Sequence, residues 1–170
     1  GNPKNLVTDA DTEIEKYLIK KISSKFPEDK IIGEEFGISN EGGSGFEWYL
    51  DSIDGTLFFA SGLAQYGTSV GLVHNGKIIF GAIFYSEDEK VYWAEEGKGA
   101  FCEDKRFQCE SKKDKLSNCV LFTGLNYEIE KSNKDFETFA KIYPSFRTIF
   151  NYGSCVSNLI KVATGKIDAY

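Results

Sequence analysis

The segment WYLDSIDGTLFF, residues 48 to 59, carries two carboxylates, Asp51 and Asp54, three positions apart at the end of a bulky apolar run. An unpaired carboxylate at the end of a buried strand is costly, and a like charge close by makes ionisation harder still. A divalent cation removes both penalties. Carboxylate oxygens are hard ligands of the kind magnesium takes, and carboxylates that bridge two such ions suit two-metal phosphoryl displacement. Taken alone, the pattern also reads as an Asp-Gly turn capping a short helix over 55–60. A second acidic pair, Glu34-Glu35 in IIGEE, follows another short apolar run and by itself reads as a solvated strand end. The pairing of the two segments brings metal-assisted chemistry on a phosphate to the front.

Other chemistries fail on single residues. GLVHNGK, residues 71 to 77, fits a phosphate-loop pattern, but Ile78 stands where a Ser or Thr would hold magnesium, and a hairpin fits the segment better. His74, the single histidine, adjoins the Asn75-Gly76 turn and reads as a solvated loop residue, so Ser and Cys triads that need histidine are excluded. Counting Gly55 as the sixth position of a calcium loop puts Leu50 in the first, where an Asp is required. Cys102, Cys109, Cys119 and Cys155 lack the CxxC spacing and read as reduced structural thiols; a Cys102–Cys109 bridge belongs only to an oxidising compartment.

The elements that must position Asp51 and Asp54 follow from periodicity. Thr8 with Asp11 three residues later forms a capping box, and Ile14, Leu18, Ile22 and Phe26 repeat at helical spacing up to Pro27. Residues 31–33 and 46–50 read as strands. Residues 66–73 and 77–85 form a hairpin through Asn75-Gly76, residues 91–96 add a strand, and a further hairpin surrounds CEDKRFQC, an antiparallel meander. A strand over 119–123, a helix capped by Ser132 and Asp135 up to about Tyr143, a short strand in RTIF, and a helix in SCVSNLIKVAT ended by Gly165 complete the α+β pattern.

Composition agrees with a folded enzyme-sized domain. At 170 residues and 41% hydrophobic, the chain is able to bury a core. The net charge of −6 is spread in interleaved signs, which gives no track for a nucleic-acid polymer. Neither a membrane span nor a signal core is visible, so no membrane partner is expected and the location is expected to be cytoplasmic.

Five segments in this order, LVTDAD at 6–11, IIGEE at 31–35, WYLDSIDGT at 48–56, GKGAF at 97–101 and YGSCVSNLIKVATGKIDAY at 152–170, resemble the inositol monophosphatase family of magnesium-dependent, lithium-sensitive phosphatases. The resemblance implies a layered helix/sheet sandwich of the inositol monophosphatase and fructose bisphosphatase type. An N-terminal antiparallel-sheet subdomain would cover about 1–115, and the start of a C-terminal α/β subdomain about 116–170. The family's central motif has proline where this chain has Ser52, a position that supplies no ligand.

Carried over residue by residue, the resemblance makes Glu34, Asp51 and the Ile53 carbonyl ligands of one magnesium. Asp51 bridges to a second ion that Asp54 also binds, with two or three ions in a complete site. Thr56, paired with Asp11, orients and deprotonates the attacking water, and Glu35 supports a third ion or an outer water. Phosphate is expected to be held mainly by metal and by backbone N–H groups, such as those of Gly55 and Thr56, since Arg106 and Arg147 are the only arginines. Gly153 and Ser154 resemble the segment that cradles the sugar ring. A homodimer is implied.

The family pattern also has a helix before LVTDAD and, beyond the position of Tyr170, a Trp-Asp motif with a further carboxylate for the second metal. The chain is therefore expected to be part of a longer protein. Three readings result: a phosphatase for a small phosphorylated polyol; the same chemistry on fructose bisphosphate, a 3′-phosphoadenosine nucleotide or histidinol phosphate; and a catalytically incomplete metal-binding protein that associates with a partner.

Overall fold

The computed structural model describes residues 8–109, 113–124 and 129–170. Leu6 and Val7 of LVTDAD lie outside the described residues. The chain divides into two compact units, one ending at Phe107 and one spanning Gln108–Tyr170. No helix among the described residues is long and apolar enough to cross a membrane.

The first unit opens with α1, Asp9–Lys25, whose capping box is formed as expected: Thr8 accepts from the Asp11 N–H while Asp11 accepts from the Thr8 N–H. The apolar stripe Ile14, Leu18 and Ile22 is only half-buried, and Phe26 is exposed. The most deeply buried side chains of α1 are acidic, Asp11 and Glu15. That inversion means α1 is anchored through polar contacts at its N-terminal half.

Eight strands follow: β1 Lys30–Gly33, β2 Gly37–Asn40, β3 Phe46–Asp54, then β4 Gly67–His74, β5 Lys77–Tyr85, β6 Lys90–Glu95, β7 Gly99–Cys102 and β8 Lys105–Phe107. They form one sheet in the order β2-β1-β3-β4-β5-β6-β7-β8. From β3 to β8 the sheet is the expected antiparallel meander. The other end corrects it. β2, which the periodicity did not reveal, pairs antiparallel with β1, and the chain then crosses to the far side of β1 so that β3 lies parallel to it. The Asn75-Gly76 turn has positive φ at both residues, 50° and 78°, the twist that suits a two-residue hairpin. His74 is the last residue of β4, not a loop residue, and its ring stacks on Phe46 at 4.0 Å.

In the second unit β9, Val120–Thr123, and β10, Thr148–Asn151, are parallel neighbours joined through helix α3, Ile129–Ile142. The helix begins upstream of the Ser132–Asp135 cap expected from sequence, so that pattern lies inside it. Helix α4, Cys155–Ala163, follows, and Ala169 bridges in parallel to Leu121. Leu121, Ile149, Val156, Ile160 and Ile167 form the core of this unit. All four cysteines are free thiols.

Candidate metal centre

In a regular strand, residues three apart point to opposite faces. Asp51 and Asp54 escape this rule because β3 is bulged. Asp51 pairs with Ser69 and Asp54 with Gly67, so three steps along β3 answer two along β4. One extra residue restores the same side for both carboxylates, which is how a bulge re-aims a side chain. Asp51 thus lies within β3 and does not end it, a correction to the expectation from sequence. The bulge is held by Thr68, whose hydroxyl donates to the Ser52 carbonyl at 2.7 Å. Ser52 is itself buried.

The third carboxylate arrives from the neighbouring strand. The Glu34 N–H donates to the Leu50 carbonyl at 3.1 Å, which docks the end of β1 one residue before Asp51. The electrostatic consequence is large. Burial first, then the charges of Glu34 and Asp54, push the Asp51 carboxyl up to about 7 from an ordinary 3.8, with a further contribution from Asp11. Glu35 is also raised, by burial and by Asp11, Glu34 and Glu15. Asp51 and Glu35 each feel Glu34 and Asp11, and Asp51 also feels Asp54, so these five carboxylates share one acidic region.

Past Asp54 the chain turns sharply. Gly55 has φ +91°, a conformation that side chains resist, and it leads into the five-residue helix α2, Thr56–Ala60. No side chain caps α2. A helix this short carries little macrodipole, so any donors at its start count as individual N–H groups. The Thr56 hydroxyl donates to the Ile53 carbonyl at 3.0 Å and lies 3.4 Å from Asp11 Oδ1. Asp11 Oδ2 is occupied by the Thr8 N–H and hydroxyl. The two oxygens of Asp11 divide the helix cap from the contact with Thr56.

Glu15 went unrecognised in the sequence. Fully buried, it accepts from the Glu35 N–H at 3.0 Å and from the Phe36 N–H at 2.9 Å. Its signal was present as Asp11 and Glu15 four apart on one helix face, a like-charge spacing that is unfavourable on a helix unless something compensates. Thr68 was missed as well, and nothing in the sequence alone marks it.

Do these residues fit magnesium? Asp51 Oδ1 is buried without a hydrogen-bond partner, which is costly unless something satisfies it. Among the described residues no three metal-binding side chains converge tightly enough to form a ready-made cage. Magnesium does not require one, because it keeps several waters and is held by one or two carboxylates. Two carboxylates, Glu34 and Asp51, with the remaining lone pair of the Ile53 carbonyl, fit a hydrated magnesium by donor chemistry.

Arg106 lies on β8, five strands from β3, on the order of 24 Å along the sheet at ordinary strand spacing, too far to grip a phosphate at Asp51. In the second unit, Gly153 precedes Ser154, the buried N-cap of α4, whose side-chain oxygen accepts from the Ser157 N–H at 3.2 Å.

The profile of the inositol monophosphatase family matches residues 1–170. The chain is similar to inositol-1-monophosphatase of Bacillus subtilis, 32% identical over all of this chain and 64% of the relative. It is also similar to inositol monophosphatase 1 of Homo sapiens, 32% identical over all of this chain and 63% of the relative. Among solved structures, the extragenic suppressor protein suhB of Bartonella henselae superposes with a TM-score of 0.89 at 28% identity, covering 98% of this chain and 65% of that one. The chain thus spans less than two thirds of the length of each.

Proposed function

Because the chain belongs to the inositol monophosphatase family, we propose that it is part of a magnesium-dependent phosphatase that hydrolyses a small phosphorylated polyol such as inositol monophosphate. One observation carries this reading: a bulge turns Asp51 and Asp54 to the same side, against Glu34, and leaves Asp51 Oδ1 buried and unsatisfied. An acidic cluster with an unsatisfied buried oxygen is poorly made for stability and well made for a cation.

In this reading Glu34, Asp51 and the Ile53 carbonyl would hold one ion, and Asp54 would serve a second. When bound, magnesium lowers the pKa of water and offsets phosphate charge, which supplies what histidine would otherwise provide. The chain's own residues do the rest. Thr56 orients the attacking water and passes its proton towards Asp11 Oδ1, the oxygen that the helix cap leaves available. N–H groups of Gly55 and Thr56 align the phosphate for in-line attack, and Glu35 holds an outer water. In this reading the chain supplies the family's N-terminal subdomain and the start of its C-terminal one, and the whole protein is a cytoplasmic homodimer.

Phosphate release from inositol monophosphate by the full-length protein, with and without magnesium, tests the reading. Magnesium-dependent turnover supports it, and none with any phosphomonoester in a panel of fructose bisphosphate, 3′-phosphoadenosine nucleotide and histidinol phosphate would leave the catalytically incomplete alternative.

A further inference from the structure

We propose that Glu15 is a positioning residue for the metal centre: its buried carboxylate clamps the backbone of the turn that carries Glu34 and Glu35, and Gly33 is a glycine because the clamp fills the space of a Cβ. Glu15 is 0% exposed, yet it sits among Asp11, Glu34 and Glu35, all acidic. Electrostatics alone would drive a sixth carboxylate out of such a region. It stays because each of its oxygens takes a different backbone N–H, Oε1 that of Phe36 and Oε2 that of Glu35. A neutral Gln of the same shape has one acceptor oxygen and would set an NH₂ against the other N–H.

Gly33 supplies an independent observation. A Cβ built there would lie 1.8 Å from Glu15 Oε1 and 2.3 Å from Glu15 Cδ. A methyl group at 33 and the clamp therefore cannot coexist without movement of one or the other. The backbone of β1 and the carboxylate of α1 approach each other at the residue preceding Glu34. The Glu34 N–H, in turn, is tied to Leu50 of β3. The turn is thus held from two sides, by α1 through Glu15 and by β3 through Leu50, and the direction of the Glu34 side chain is settled before any ion binds. Groups that orient metal ligands in this way are commonly worth ten- to a hundredfold in affinity.

The clamp's functional meaning rests on the magnesium reading above, and the test separates the two. In the full-length protein, magnesium binding by titration calorimetry is compared for wild type, Glu15→Gln, Glu15→Asp and Gly33→Ala. Amide hydrogen exchange at Glu35 and Phe36 is followed in metal-free wild type and variants. We expect slow exchange at both amides in wild type and faster exchange in Glu15→Gln. Magnesium affinity should fall about tenfold or more in Glu15→Gln and Gly33→Ala, with partial recovery in Glu15→Asp and cooperative melting retained. Unprotected Glu35 and Phe36 amides in wild type overturn the clamp even if every variant unfolds. Wild type and Glu15→Gln binding magnesium within about twofold of each other overturn the clamp alone. Wild type that binds no magnesium overturns both it and the metal reading.

Discussion

The Thr56 hydroxyl lies 3.4 Å from Oδ1 of Asp11, a residue 45 positions earlier, while Oδ2 of the same carboxylate is taken by Thr8 at the start of α1. At 3.4 Å the contact is weak, and the single Thr56 proton goes to the Ile53 carbonyl at 3.0 Å instead. Asp11 therefore serves the helix cap with one oxygen and leaves the other beside Thr56, the oxygen that takes up the water's proton in the proposed mechanism.

This division makes Asp11→Asn informative. The Asn oxygen retains the cap while its NH₂ faces Thr56, so the fold should persist as activity falls by about a hundred- to ten-thousandfold, the usual worth of a general base. Phosphate-release kinetics beside a thermal melt check it. A variant with near-normal turnover would reduce Asp11 to a capping residue.

Asp54→Asn should abolish phosphatase activity in the full-length protein and leave stability unchanged or slightly higher. The Asp54 charge raises the Asp51 carboxyl, so its removal relieves repulsion in the metal-free state while weakening the hold on an ion. Turnover close to that of wild type would make Asp54 a turn residue only.

Metal-free stability should decline as pH rises. Asp51 holds its proton up to about 7 in the fold but loses it near 3.8 in the unfolded chain, so between these values the folded state binds the extra proton. The stabilisation is complete below about 4 and is lost as pH climbs through about 7. Melting of wild type and Asp51→Asn in a chelator across this window reads the difference, which should shrink or vanish with saturating magnesium because the ion favours the carboxylate. A pH-independent difference between the two proteins would sink the prediction.

Thr68→Val removes the hydroxyl that satisfies the Ser52 carbonyl within the bulge. The buried acceptor left behind should cost about 1 to 3 kcal/mol. Magnesium affinity should fall with it, because the bulge aims Asp51 and Asp54. Chemical denaturation and calorimetry measure the two effects. Lost stability with unaltered magnesium binding would show that β4 pairing alone holds the bulge.

How much of this was legible in the sequence follows the range of each signal. The capping box at Thr8 and Asp11, the Asn75-Gly76 turn, the Ser154 start of α4 and the order of family segments act over a few residues, and the structure keeps each of them. Glu34, Asp51 and Asp54 could be nominated because carboxylates after apolar runs are costly wherever the chain goes. Tertiary structure alone decided that Asp51 and Asp54 share a side, since alternation along β3 predicts the opposite and only the mismatch with β4 adds the compensating residue. It also decided that β1 runs parallel to β3, and that α1 buries Glu15 more deeply than Ile14 or Leu18. The physical reason is common to all three. Register, bulges and the burial of a charge depend on partners far along the chain, such as the N–H groups of Glu35 and Phe36, 20 and 21 residues from Glu15, and no pattern within a helix or a strand encodes where those donors will stand.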